Sequence, residues 1–204
     1  MTAPHEIDPV TEAYERRAAE YSALFGAVEA AHPLDRQIVA SWADEVRGPV
    51  IDAGCGPGHW TAHLADRGLT ARGVDRVLAF VERARRSYPG VPFALGDLES
   101  LDTPDASLGG VLAWYSLIHH EPAAIGVPLR EFARALRPGG TLLVGFFEWP
   151  ALEGFAHAVA PAHRWPVPAL AAELEAAGFD VLESHVRSTA GERPQAALTG
   201  RRRA

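Results

Sequence analysis

The 204 residues include no lysine, no asparagine and a single cysteine. All nineteen basic side chains are therefore arginine. Without lysine the chain cannot grip phosphates through a Walker-type loop or form a Schiff base. One cysteine, Cys55, excludes an internal disulfide and a thiolate zinc site. No apolar run approaches the roughly 20 residues a membrane helix needs. The opening stretch from Met1 to Pro9 has His5, Glu6 and Asp8 but no basic cluster leading into an apolar segment. These absences predict a cytoplasmic protein with no membrane partner. A net charge of −7 argues against a nucleic-acid surface and makes Arg201-Arg202-Arg203 a solvated tail in expectation. The length and the 48% hydrophobic content predict one domain, 1–204, with a substantial core.

What the chain does have is concentrated in Val50-Ile51-Asp52-Ala53-Gly54-Cys55-Gly56-Pro57-Gly58. An apolar run passes an acidic residue, glycines follow at every second position, and an amphipathic helix opens at His59-Trp60-Thr61-Ala62-His63-Leu64. That is a strand, a tight turn and a helix N-terminus. Such glycines allow positive φ and remove Cβ atoms that would hold a flat ligand off the backbone. A dinucleotide fingerprint requires a third glycine five residues after the first, where this chain has His59. The remaining candidate is a nucleoside cofactor without phosphates. Cys55, beside a helix N-terminus, either carries a lowered pKa or fills the turn. His59 and His63 stand four apart on a helix, but position 60 is Trp rather than the Glu of a zincin, so no metal site is expected.

Helical patterns run from Tyr14 to Phe25, Pro33 to Val46, Val77 to Ala84 and Val167 to Gly178. Another, marked by Leu129, Phe132, Ala133 and Leu136, stops at Arg137-Pro138-Gly139-Gly140. Strands are expected at Pro49 to Ala53, Thr70 to Asp75, Val91 to Leu95, Gly109 to Tyr115, Thr141 to Phe147, Phe179 to Val186 and roughly Gln195 to Leu198. The alternation predicts an α/β fold with a mostly parallel sheet covered on both faces. Residues 1–47 form a helical cap segment in this reading and 48–204 the core. Ligands of such sheets bind beyond the carboxyl ends of the strands, and Gly54, Asp75, Asp97, Tyr115, Ser116, His119, Phe147 and Glu148 all fall on that rim.

Asp-x-Gly-x-Gly-x-Gly after a first strand resembles motif I of the class I S-adenosylmethionine-dependent methyltransferases, of the small stand-alone bacterial type, and the resemblance runs from Tyr14 to the end. It implies a Rossmann-like sheet of seven strands with the last antiparallel, and S-adenosylmethionine as cofactor, with S-adenosylhomocysteine as product. Asp75, 21 residues beyond Gly54, is placed to accept hydrogen bonds from both ribose hydroxyls. Gly96-Asp97-Leu98 resembles the motif that meets the adenine, and both aspartates are otherwise ordinary residues at loop starts. The expected cofactor-binding set is Tyr14, Arg17, Tyr21, Asp52, Gly54, Gly56, Gly58, Trp60, Asp75, Arg76, Gly96, Asp97, Leu98, Trp114 and Tyr115. Arg17 either pairs with the methionine carboxylate or is a surface arginine. Asp52 orients the turn.

Methyl transfer from a sulfonium is an in-line displacement that needs alignment and dryness, and a base only when the nucleophile arrives protonated. His119, in Ser116-Leu117-Ile118-His119-His120, is the candidate base and equally a candidate structural histidine. Tyr115 is the second catalytic candidate, with His120 and Glu148 weaker. Trp114, Trp149, Trp165 and Phe147 are candidate walls of an acceptor pocket, and 157–168 a modest lid. Nucleobase amino-methyltransferases of this fold carry Asn-Pro-Pro-Tyr or Asp-Pro-Pro-Tyr after the fourth strand, where this chain reads Ala113-Trp114-Tyr115-Ser116. The expectation is O- or N-methylation of a small molecule by a monomer or homodimer with no nucleic-acid partner. The rival readings are a non-methylating rearrangement or cyclisation that uses the bound cofactor, and a cofactor-binding partner subunit without chemistry.

Overall fold

A computed structural model describes residues 8–204; His5 and Glu6, with the rest of residues 1–7, lie outside the described residues. The first helix, α1 (Pro9–Phe25), begins five residues before Tyr14 because Asp8 caps it, accepting the Thr11 N–H at 3.3 Å, and Pro9 supplies a preset φ for the first turn. A second helix, α2 (Pro33–Glu45), starts behind a side-chain cap from His32 and buries Val39, Trp42 and Ala43.

The core then alternates β1 (Val50–Ala53), α3 (His59–Asp66), β2 (Ala71–Asp75), α4 (Leu78–Ser87), β3 (Phe93–Leu95), β4 (Leu108–Trp114), α5 (Gly126–Ala135) and β5 (Leu136–Phe147). A short ribbon, β6 (Glu153–Phe155) and β7 (Ala162–Arg164), precedes α6 (Val167–Ala176), β8 (Phe179–Arg187) and β9 (Gln195–Arg202). The main sheet has seven strands in the order β3-β2-β1-β4-β5-β9-β8. Its first five strands are parallel, and β9 runs antiparallel to both neighbours. The seven-stranded α/β expectation is met, final antiparallel strand included. Successive strand residues face opposite ways, so Val50, Leu112 and Leu143 pack under α2 and α3, while Ile51, Val111, Leu142 and Val144 pack under α5 and α6. The order reverses between β1 and β4, which opens the rim at their carboxyl ends.

Two local expectations are corrected. The α5 helix ends at Ala135, and the Pro-Gly-Gly run is absorbed into β5 as an irregular stretch: Leu136 pairs with Leu108, then the register shifts and pairing resumes at Gly110 with Thr141. Arg201-Arg202-Arg203 is not a solvated tail. Arg201 and Arg202 belong to β9 and pair with Thr141, Asp180 and Phe179, while the Arg202 and Arg203 guanidiniums donate to the carbonyls of Leu136 and Glu175. Gly200 makes room for this, since Leu174 and Phe179 pack against its Cα side. No helix of the described residues is long and apolar enough to cross a membrane.

Candidate active site

The three glycines of the 54–58 turn all have positive φ, at 78°, 52° and 89°. A side chain on Gly54 would collide with Ser116, and one on Gly58 would meet Ala84 and Phe93 at under 3 Å. Only Gly56 has open space where a Cβ would stand. Thus Gly54 lets the end of β1 approach the segment after β4, Gly58 lets the start of α3 approach α4 and β3, and Gly56 leaves room for a ligand. Gly58 caps α3 and lines neither cavity described below. Cys55 is buried in a cluster with Val81, Ala84 and Phe93. Burial, followed by the Asp75 and Asp52 carboxyls, holds its thiol well above the usual range, which removes the reactive-thiol reading.

Asp75 ends β2 with its carboxylate buried. One oxygen accepts the Gly56 N–H at 2.8 Å and the other the Val77 N–H at 2.8 Å. Burial raises its pKa against these hydrogen bonds. Each oxygen keeps a lone pair for a further donor. Asp52 is deeper. It accepts the Thr61 hydroxyl at 2.6 Å, and burial pushes it up to about 7. A cavity of about 290 Å³ lies against Asp75, Arg76, Val77, Phe80 and Leu98 and is roofed by Thr11 and Tyr14 of α1. The Ser116 hydroxyl on its wall is buried and has no partner.

A second cavity, of about 480 Å³, continues past the glycine turn to Asp52, Trp60, Phe147, His157 and Gln195. Tyr14, Tyr21, Gly54, Gly56, Trp114 and Tyr115 line both, so the two form one trough along the rim. At their junction the Tyr14 hydroxyl stands 2.9 Å from His119 Nε2, and His119 Nδ1 lies 2.7 Å from the Pro161 carbonyl. A carbonyl only accepts, so Nδ1 carries the proton and the Nε2 lone pair receives the Tyr14 O–H. Burial lowers the His119 pKa and raises that of Tyr14, which keeps both neutral. Tyr115 sits at φ 58° and donates to Gln195 Oε1 at 2.6 Å, with burial raising its phenol. Gly145 accommodates the Trp114 indole, which a Cβ would meet at 2.8 Å.

Of the expected set, the trough gathers Tyr14, Tyr21, Asp52, Gly54, Gly56, Trp60, Asp75, Arg76, Leu98, Trp114, Tyr115 and His119. It does not gather Arg17, Gly58, Gly96 or Asp97. The Arg17 guanidinium binds Glu20 at 2.9 Å and the Ala158 carbonyl, fastening α1 to the loop after β6. The Asp97 carboxylate is turned to Arg76 at 2.9 Å and to the Glu99 N–H. His120 lines the first cavity beside Glu99, at 3.5 Å. Glu148 and Trp149 stand outside, with Trp149 3.9 Å beneath the Arg164 guanidinium, and Trp165 is core. The segment expected as a lid, 157–168, runs from the loop after β6 through β7 to the start of α6, and the β6–β7 ribbon is tied by the Arg164–Glu153 ion pair and by the His163 N–H on the Ile118 carbonyl at 2.7 Å. Among the lining residues not foreseen, Asp35, Arg187, Glu192 and Gln195 form a polar group. They assemble from α2, the end of β8, the β8–β9 connection and the start of β9, and no local pattern links positions 152 residues apart.

Residues 50–140 match the family described as a methyltransferase domain. Over 94 residues the chain is 33% identical to a malonyl-[acyl-carrier protein] O-methyltransferase of Yersinia pestis, covering 46% of this chain and 34% of that protein. Over 112 residues it is 35% identical to a demethylmenaquinone methyltransferase of Beutenbergia cavernae, covering 52% and 46%. The chain thus spans less than half the length of these two relatives. Its fold superposes on the Burkholderia thailandensis 1,6-didemethyltoxoflavin-N1-methyltransferase, solved with 1,6-didemethyltoxoflavin and S-adenosylhomocysteine bound, with a TM-score of 0.78 and 25% identity over 100% of this chain and 92% of that one. The seven-stranded sheet and the glycine turn after β1 are those of a Rossmann-like methyltransferase fold. The chain is thus similar to the class I S-adenosylmethionine-dependent methyltransferases, over residues 50–140 in sequence and along its whole length in fold.

Proposed function

We propose that this chain binds S-adenosylmethionine in the rim trough and transfers its methyl group to nitrogen or oxygen of a small organic acceptor. The observation that carries the reading is the continuity of the trough, from the buried Asp75 carboxylate and the open position beside Gly56 to the aromatic second cavity. The fit is specific at three points. Gly56 leaves space for a ligand, Asp75 keeps acceptor capacity for two hydroxyls, and the Ser116 hydroxyl awaits a partner. When bound, the sulfonium supplies a methyl carbon to a nucleophile's lone pair, the carbon–sulfur pair returning to sulfur as a neutral thioether.

The chain's own residues align, dry and deprotonate. Tyr14 roofs the junction of the two cavities and offers its hydroxyl oxygen to an acceptor's N–H or O–H. As Tyr14 takes that proton, its own passes to His119 Nε2, and the resulting imidazolium is steadied by the Pro161 carbonyl on Nδ1. His119 is held neutral by burial and so is competent to receive the proton.

The test is formation of S-adenosylhomocysteine and a labelled product when the protein is given isotopically labelled methyl donor and a metabolite pool. Binding of S-adenosylhomocysteine without turnover on any fraction would favour the subunit reading. Product formation without consumption of the donor would favour rearrangement. NAD binding more tightly than either nucleoside would sink both. In single turnover, His119→Ala and Tyr14→Phe are expected to lose on the order of a hundredfold in rate, partly restored at higher pH as the acceptor ionises by itself. Wild-type rates at every pH would make the pair structural.

A further inference from the structure

The second cavity has flat walls and a polar end. Phe147 packs against Tyr115 at 5.2 Å between ring centroids, Phe155 at 5.3 Å and His157 at 5.9 Å. At the polar end, Arg187 is the sole arginine of the described lining and its side chain is 11% exposed. One of its terminal nitrogens holds Asp35 at 3.2 Å and also Gln195 Oε1, and the other holds Glu192 at 2.9 Å. The guanidinium fork that would grip a substrate carboxylate is therefore already spent. Two carboxylates surround one cation, so the end carries excess negative charge; His157, at the aromatic walls, is pushed down to about 4 by burial and adds no positive charge. The Arg187 Nε–H is buried out of reach of a molecule in the cavity and has no partner among the described residues.

Building on the methyl-transfer reading, we infer that the acceptor is an uncharged planar heteroaromatic molecule with N–H donors on one edge. Its face lies on Phe147 and Trp114, and its donors meet Asp35 and Glu192. Carboxylate-bearing molecules are disfavoured at this end, because a like charge opposite Asp35 and Glu192 meets an arginine already paired with both.

Calorimetric titration at pH 7 of protein saturated with S-adenosylhomocysteine tests this with three probes: pterin, lumazine and pterin-6-carboxylate. The two neutral bicycles are expected to bind, and the carboxylate at least about tenfold more weakly than pterin. Glu192→Gln, at an exposed position, should narrow that gap severalfold by removing one opposing charge. Phe147→Ala should weaken pterin while leaving the preference in place. Equal or tighter binding of the carboxylate overturns the inference, as does failure of both neutral bicycles to bind a protein that has taken up S-adenosylhomocysteine. Failure to take up S-adenosylhomocysteine in the first step would strike the methyl-transfer reading itself.

Discussion

Gly54 and Gly56 share a backbone conformation and differ in their surroundings, so a methyl group added to each should separate packing from binding. At Gly54 the new Cβ collides with Ser116, just beyond β4, and also sits at φ 78°. Overpacking and left-handed strain together should cost Gly54→Ala about 3 kcal/mol or more in urea unfolding. Gly56→Ala meets nothing within 4 Å at φ 52°, so only strain of about 1 kcal/mol is expected. Its loss should appear instead in affinity for S-adenosylhomocysteine, since the added methyl occupies ligand space. Equal stability losses, or an unchanged affinity in Gly56→Ala, would show that the turn does not divide its work this way. The spacing of the glycines was legible in the sequence, but it carries no record of what each glycine faces. Asp75 was legible because a strand end fixes where its side chain emerges. Asp97 was placed at the correct strand end too, yet Arg76 and the Glu99 N–H claim its carboxylate.

At the scale of elements, α1 is held down chiefly by side chains that work for its neighbours. Glu15 of α1 reaches across to accept the N–H groups at the start of α4, with the Ala79 N–H at 3.3 Å, and so caps a helix that has no side-chain cap of its own. Tyr14, Ala18 and Tyr21 pack on Val77 and Phe80 beside it. Glu15→Ala should therefore cost about 1 kcal/mol in stability. It should also weaken S-adenosylhomocysteine by roughly fivefold, the same energy expressed in affinity, because Thr11 and Tyr14 of the loosened helix roof the first cavity. Unfolding midpoints and calorimetry on one variant check both halves, and an affinity loss of zero would detach α1 from ligand binding. Elements whose burial alternates along the chain were readable beforehand. The β6–β7 ribbon was readable only as a lid without form, because its strands are three residues each and are held by an Arg164–Glu153 pair and a cross-loop backbone bond. The arginine run of β9 hid a strand because its pairing is made by the backbone and the buried side is served by Gly200.

Across the whole molecule, titration pulls in two directions. Burial pushes His59 and His157 down to about 4 and lowers His63, His119 and His120. Each contributes stability that is present above its ordinary value of 6.5 and lost as pH falls through its folded value. Asp52, pushed up to about 7, and Asp75, also raised, act oppositely: their contribution is present at low pH and lost as pH rises through their folded values. With His59 and His157 both at about 4 against Asp52 at about 7, stability should fall between pH 6.5 and 4. Asp52→Asn removes one opposing contribution and should steepen that fall. Thermal unfolding of both proteins across the window decides it, and a shallower fall in the variant would reverse the assigned sign. One imidazole also ties the molecule together at this scale. His119 bonds Tyr14 on the helix over the first cavity and Pro161 in the loop beside the second. A ligand that settles either cover settles the ring, and with it the other cover. The affinities of donor and acceptor then form a closed thermodynamic cycle, in which whatever factor the first ligand lends the second is returned in full.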